Sequence, residues 1–381
     1  MKTSSITSKT TRSAWAKSLL LGCSAALLCA APLTAQTSYT AVDLTPNASG
    51  VANVASDGIA AGFTGSVPNA FSGRATIWSG AGATDLHPSF LDGASARSTI
   101  SGYGGDLQVG SGAGTSTVNR NVPIVWRGTA ASATVLTIPF VNYSGQALAT
   151  DGKQIVGSAI GLNRDGTTLS TYHAIVWNAT TGAGIDLGDG GNGAQALAVS
   201  GGVQVGYIVK SLQEAALWRG TKAVTSLNPT GAVTSCAQGT DGVRQVGFAG
   251  YDIRVRVEAF KGQKTARFTY ATVWNGTAAS AVNIHPYASN ADGTPFAHSY
   301  ATSVSGSYIA GYAADASKIG TPAYYRAIVW DASFQATDLS AFLPAGFVGS
   351  QALSVDSQGN IAGVMTKADG TRHAVLWMPN P

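Results

Sequence analysis

SQALSVDSQGNIAGVMTKADGTRHAVLW, residues 350–377, contains three segments that recur along the whole chain. Its last five residues, HAVLW, end at Trp377. The same phrase closes as RATIW at Trp78, VPIVW at Trp126, HAIVW at Trp177, EAALW at Trp218, YATVW at Trp274 and RAIVW at Trp330. Ala stands three residues before the Trp in every copy but one, where Pro123 replaces it. Recurrence at about 40–56 residues is the mark of a repeat architecture. Upstream lies QALSV, matched by Gln146–Thr150 and Gln195–Val199, and then an apolar-x-Gly step at Gly62, Gly110, Gly157, Gly206, Gly247, Gly311 and Gly363. Downstream of the Trp comes a fourth segment around Thr-Asp-Leu, as at Asp85-Leu86, Asp186-Leu187 and Asp338-Leu339.

These runs are short, rich in Val, Ile and Thr, and bounded by Gly, Asn and Asp, so they read as strands. DGK, SGG and SQGN between the first and second, and WRGT, WNGT and WNATTG after the third, are hairpin turn chemistry. Four antiparallel strands per unit of this length make a propeller blade. The last unit stops at Trp377-Met378-Pro379-Asn380-Pro381 without a fourth strand, while Tyr39-Thr40-Ala41-Val42-Asp43-Leu44 is a fourth strand with no blade before it. Joining them pairs two edges that would otherwise be exposed. The expectation is an all-β, seven-bladed β-propeller of four-stranded antiparallel blades, closed by the N-terminal strand. The seven repeat tryptophans are expected to be its core.

Residues 1–35 read as a secretory signal peptide, with Lys2, Lys9, Arg12 and Lys17 before the apolar run Leu19 to Leu28 and a small-residue site at Leu33-Thr34-Ala35. Residues 36–381 are then one secreted domain, periplasmic or extracellular, with no further run able to span a bilayer as a helix. The leader holds four positive charges and no negative one, so the net charge of +4 belongs to it and the remainder is neutral. A neutral chain lacks the basic face that nucleic-acid binding requires. Cys236 is the sole cysteine after the leader. It aligns with Ala149, Ala198, Ser303 and Ser354, which makes it a buried small residue and not a reactive thiol.

Residues 350–377 and AQALAVSGGVQVGYIVK (194–210) resemble the HAF-type extracellular repeat proteins of bacteria, and the resemblance covers nearly all of the chain after the leader. His173 and His373 keep that family's His before the Trp, whereas Arg74, Val122, Glu214, Tyr270 and Arg326 replace it. Asp-Leu-Gly stands in full only at Asp186-Leu187-Gly188. The resemblance implies the repeat fold and export, and no reaction.

Function is expected on the face carrying the connections between strands 2 and 3 and between blades, because length variation is concentrated there. The step from strand 2 to strand 3 runs only from Gly206 to Trp218 in one unit and from Gly247 to Trp274 in another. Variable loops on a rigid scaffold are where binding residues gather. In the longest insert, Ile253, Val255 and Val257 alternate with Arg254, Arg256 and Glu258, which predicts a projecting hairpin with its turn at Lys261-Gly262-Gln263-Lys264. Arg254, Arg256, Lys261, Lys264 and Arg267 would make it a basic arm. Tyr312, Tyr324 and Tyr325, together with Tyr143, Tyr172 and Tyr207, are candidate stacking residues on the same face.

No His-x-x-His, Cys-x-x-Cys or Gly-x-Ser-x-Gly arrangement is present, so neither a metal, a cofactor nor a catalytic residue is assigned. His87 and His285 share a [Leu/Ile]-His-Pro step and read as repeat positions, leaving His298 outside the pattern. The expected function is a secreted, monomeric, non-catalytic binding or scaffold propeller for a glycan or protein ligand. The alternative is a polysaccharide-active hydrolase or lyase with carboxylates such as Asp92 and Asp292 at the channel mouth.

Overall fold

The computed structural model describes residues 38–380 apart from 66–72, 81, 139, 163–170, 258–261, 287–296 and 315–324. The leader expected at residues 1–35 lies outside the described residues. Ser38–Pro381 forms one compact unit. Its described secondary structure is β-strand with short 3-10 turns, and no described helix is long and apolar enough to cross a membrane.

The described strands form six sheets, five of four strands and one of eight. The first is typical. Gly50–Ser56, Ile59–Thr64, Arg74–Ser79 and Gly82–Asp85 lie side by side, each antiparallel to the next. The eight-stranded sheet consists of two such runs, one from Thr234–Thr240 to Val282–Asn283 and one from His298–Ser305 to Ala336–Asp338. They are joined by a single parallel pairing, Thr269 with His298. Seven separate four-stranded sheets were expected; the described strands form six, one of them eight-stranded through this backbone contact.

In the sheet of Phe347–Val355, Ile361–Lys367 and Arg372–Pro379, the fourth position is taken by Tyr39–Asp43, paired from Tyr39↔Pro379 to Asp43↔Val375. Asn380 N–H donates to the Ser38 carbonyl at 2.8 Å, and Ala374 N–H donates to Thr45 Oγ1 at 3.0 Å. The first strands also touch one another in a cycle, from Gly50–Ser56 through successive runs to Phe347–Val355, which contacts Gly50–Ser56 again.

The repeated glycines are a consequence of strand geometry. Every first strand carries a bulge, for example between Ala147 and Ala149, where two residues oppose one on the second strand. Just ahead of the bulge, a first-strand carbonyl presses on the second strand. A Cβ at Gly157 would lie 1.9 Å from the Gln146 oxygen, and at Gly363 2.1 Å from the Gln351 oxygen. No larger residue fits. These glycines therefore stand inside the second strand.

All seven repeat tryptophans are buried, none more than 4 % exposed. Each packs against the preceding sheet or run: Trp177 meets Val109, Val125 and Leu136, while Trp78 meets Ala362, Ala374 and Leu376 of the last sheet. Three indoles also donate across that junction, Trp126 to the Leu86 carbonyl (2.9 Å), Trp177 to Thr137 (2.8 Å) and Trp330 to Ile284 (2.8 Å). Burying a side chain of this size is worth several kcal/mol, so the Trp holds neighbours together through area more than through its N–H.

The recurring Ala before the Trp serves a second junction. Its N–H donates to a hydroxyl on the first strand of the next run: Ala75 to Ser98, Ala215 to Ser235, Ala271 to Ser299 and Ala327 to Ser350, at 2.8–3.2 Å. Pro123 has no N–H to give. At the position matching those serines on the following first strand stands Gly145, opposite Ala159 as Ser98 is opposite Gly112. The hydroxyl is also absent after Ala174, where Ala194 holds that position, so this junction bond is present in some runs and not in others.

Candidate functional site

A cavity of about 600 Å³ lies where the first strands converge. Each first strand contributes its bulge residue and the residues leading into the turn to the second strand. The bulge residues are Asn53, Ser101, Leu148, Leu197, Gln238, Thr302 and Leu353. A bulged residue has no cross-strand partner and its side chain is re-aimed. All seven are half-buried. Asn53 donates to the Ile100 carbonyl (2.7 Å), and Thr302 donates to the Ala352 carbonyl (3.0 Å), so polar members also bridge neighbouring first strands.

The turn end of the cavity is acidic. Asp57, Asp151, Asp241 and Asp356 line it, and no Lys, Arg or His does among the described residues. Asp356 accepts from Asn360 N–H and Nδ2 and from Gly58 N–H of the first sheet. Burial works against ionising Asp241, yet the Arg244 N–H and guanidinium and the Val243 N–H together hold its carboxyl below the usual range. That guanidinium also donates to the Gly306 carbonyl. Asp151 accepts Lys153 and Gln154 N–H on Oδ1 alone, and Asp57 has no partner among the described residues.

The cavity is at the end opposite the face expected to carry function. Its lining runs toward the strand 1–2 turns, whereas that face carries the strand 2–3 connections and those between repeats. The bulge ring was missed because repeat alignment by Gly and Trp says nothing of an extra residue in the first strand. Its only sequence signal is the variable residue after QA in QALAV and its relatives.

Gln245–Val257 and Gly262–Trp274 form the expected hairpin, paired without interruption from Gln245↔Trp274 to Val257↔Gly262. Gly262, Gln263 and Lys264 thus lie in strand, not in the turn as expected, and Lys261 lies outside the described residues. Arg254 is exposed. Arg267 is tied to Asp252 across the hairpin at 2.8 and 3.1 Å. Arg256 and Lys264 belong to its two strands, and neither Arg254 nor Arg267 lines the cavity.

Tyr312 is enclosed by Tyr300, stacked at 5.0 Å, and Tyr325, edge-on at 5.7 Å, and burial pushes its hydroxyl well above the usual range. It is part of an internal aromatic row. Tyr324 and Asp292 lie outside the described residues. Asp92 accepts Ser116 N–H, within the short turn Thr115–Thr117.

The histidines have structural partners. His87 Nδ1 lies 2.7 Å from Ser98 Oγ and His285 Nδ1 lies 2.8 Å from Ser299 Oγ. Those are the hydroxyls that accept the Ala75 and Ala271 N–H groups, and both serines are buried, so neither is an open nucleophile. His173 and His373 reach across to Asp186 (3.0 Å) and Asp43 (2.9 Å) on the adjacent strand, where Arg74 reaches Asp85. In these three runs the first residue of the Trp phrase is thus paired with the Asp of the fourth strand. His298 is the first residue of its strand, buried, accepting Thr269 N–H at 3.2 Å.

Cys236 is buried, and its thiol is pushed up to about 12 by desolvation. Its pairing with Phe248, next to Ala237↔Gly247, makes it equivalent to Gln146 and Gln195. The alignment with Ala149 and Ser303 was three residues out.

No protein-family model and no curated protein matches the chain. Among solved structures it is similar to the β-propeller domain of the Trilobed protease from Pyrococcus furiosus, at 8 % identity and a TM-score of 0.52 over 87 % of this chain and 93 % of that one. It is also similar to the Pyrococcus horikoshii acylaminoacyl peptidase, at 10 % identity and a TM-score of 0.54, over 88 % of this chain and 52 % of that one. The fold is a β-propeller. The expected non-catalytic binding or scaffold propeller, with its polysaccharide-active alternative, is overturned: the propellers it resembles belong to peptidases, and the cavity is at the other end of the strands.

Proposed function

We propose that this chain is a peptidase-associated β-propeller whose cavity receives peptide. The observation that carries the reading is the cavity itself, walled by first strands and lined by amides, hydroxyls and carboxylates. A peptide backbone carries donors and acceptors at every residue and must find partners when it leaves water. A wall of Asn, Gln, Ser and Thr side chains meets that need without reading one sequence. The likeness to propellers of a protease and an acylaminoacyl peptidase supports the same reading at the level of fold.

The test is equilibrium dialysis of the purified 38–381 chain against a mixed tryptic digest, followed by mass spectrometry of retained and newly cleaved peptides. Retention of peptides in the micromolar range supports the reading. If the digest passes unretained and uncut, the reading fails.

Three further points belong to the proposal. The two antiparallel runs of the eight-stranded sheet count as two blades, giving seven, with Tyr39–Asp43 as the closing strand; the cyclic contact of first strands and the packing of Trp78 on the last sheet support this. The repeat phrases support membership among HAF-type extracellular proteins, and the leader supports export. Deleting residues 38–45 tests closure, since an intact monomer with unchanged melting would remove the closing strand from the fold's account.

A further inference from the structure

The bulge residues around the cavity are of two kinds. Asn53, Ser101, Gln238 and Thr302 are polar, while Leu148, Leu197 and Leu353 are not. In the cycle of first strands Leu148 and Leu197 stand on neighbouring strands, and Leu353 stands on the strand farthest from both. The two polar pairs, Asn53 with Ser101 and Gln238 with Thr302, occupy the sectors between. Apolar side chains thus face one another across the cavity along one direction and polar ones along another.

Nothing in the fold accounts for the leucines. None of the three belongs to a hydrophobic cluster or packs against one, and each is half-buried at the cavity wall. The same backbone position accepts Asn, Ser, Gln or Thr in the other runs, so the bulge does not demand an apolar residue. Clustered apolar side chains left partly in water mark a surface that something else covers.

Charge complementarity selects the occupant. Asp151 lies three residues beyond Leu148 along the strand, about 10 Å at strand rise. The Asp57 carboxylate and Asp151 Oδ2 have no protein partner among the described residues, and no basic side chain lines the cavity. A ligand with a cationic end and an apolar group about 10 Å away satisfies both features, and an extended peptide with a free amino terminus has that spacing within about three residues.

We propose that Leu148, Leu197 and Leu353 form an apolar constriction that selects peptides by an apolar side chain near a free amino terminus, the terminal ammonium lying at Asp151. This rests on the peptide-receiving reading of the same cavity. The polar bulge residues meet the peptide backbone, and the leucines meet the side chain.

The experiment is fluorescence anisotropy with C-terminally labelled hexapeptides carrying leucine or serine at the third position, each with a free or acetylated amino terminus. It compares wild type with Leu148→Asn, Leu353→Asn and Leu353→Met, all checked for a native melting transition. Wild type is expected to prefer the leucine peptide about tenfold, as burial of one such side chain gives, and to lose about tenfold on acetylation. The Asn variants erase the leucine preference and Leu353→Met retains it. Equal binding of both peptides by wild type, or an undiminished preference in both Asn variants, overturns the constriction while leaving peptide binding in place. If no hexapeptide binds, the peptide-receiving reading falls and the constriction with it.

Discussion

His373 and Asp43, 330 positions apart in sequence, meet with Nδ1 2.9 Å from Oδ2 and with the histidine almost fully buried. The contact lies between the C-terminal strand and the N-terminal strand that completes its sheet. Asp43→Ala leaves a buried imidazole without its partner, a loss of about 1–3 kcal/mol. Urea denaturation of the two proteins checks it, and coincident midpoints would mean that the pair contributes nothing to holding the ends together.

Trp218 packs against Val156, Val176 and Leu187 of the preceding sheet and is 1 % exposed. Trp218→Ala removes that contact and leaves a cavity, so it should cost about 3–5 kcal/mol. A fall in the denaturation midpoint at unchanged slope is expected. A neutral result contradicts the role of the repeat tryptophan in joining sheets.

Gly206 has no room for a side chain, because a Cβ there would sit 1.9 Å from the Gln195 carbonyl oxygen. Gly206→Ala should destabilise by about 3 kcal/mol or more, since strand backbone cannot yield cheaply. Gly220, in a turn at φ +70° with nothing within 4 Å, is the control. Gly220→Ala carries backbone strain alone, about 1 kcal/mol. Thermal melting of both variants should rank them in that order.

The Asp241 carboxyl is held below its ordinary range, against burial, chiefly by Arg244. A carboxyl with a lowered folded-state pKa adds stability above its unfolded value of about 4, and that stability disappears as pH falls through the folded value. Wild type should therefore lose stability below about pH 4 more steeply than Asp241→Asn. Parallel acid limbs for the two proteins in a denaturant series from pH 7 to pH 2 would contradict this.

Cys236 is buried with its thiol raised to about 12, so it should resist maleimide at neutral pH and react once the chain is unfolded. Mass spectrometry before and after guanidinium treatment distinguishes the two states. Rapid labelling of the native protein would place the thiol at the surface.

Strand periodicity, Gly and Trp spacing and turn chemistry made the repeat legible, because each recurs once per unit: a glycine under a close carbonyl, an indole, a left-handed turn. Details that depend on partners from other units were not legible. Ser98 reads as one of many serines until the Ala75 N–H and His87 are seen to converge on it. His298 looked isolated because its partners, Thr269 and Phe268, lie on a different run. The arm of Gln245–Val257 and Gly262–Trp274 was visible because its alternation is local, yet its turn was misplaced by a few residues, which periodicity alone does not fix.

The amino-acid sequence by itself determined that this protein is built from repeated antiparallel strands with one buried tryptophan per unit, since period, volume and turn residues are properties of neighbouring positions. Only the tertiary structure decided where the cavity lies. The bulge in each first strand adds a residue that pairs with nothing. Whether that residue is wasted on solvent or gathered with others around a common cavity depends on how the first strands converge, and convergence is set by contacts between units that lie far apart in the chain.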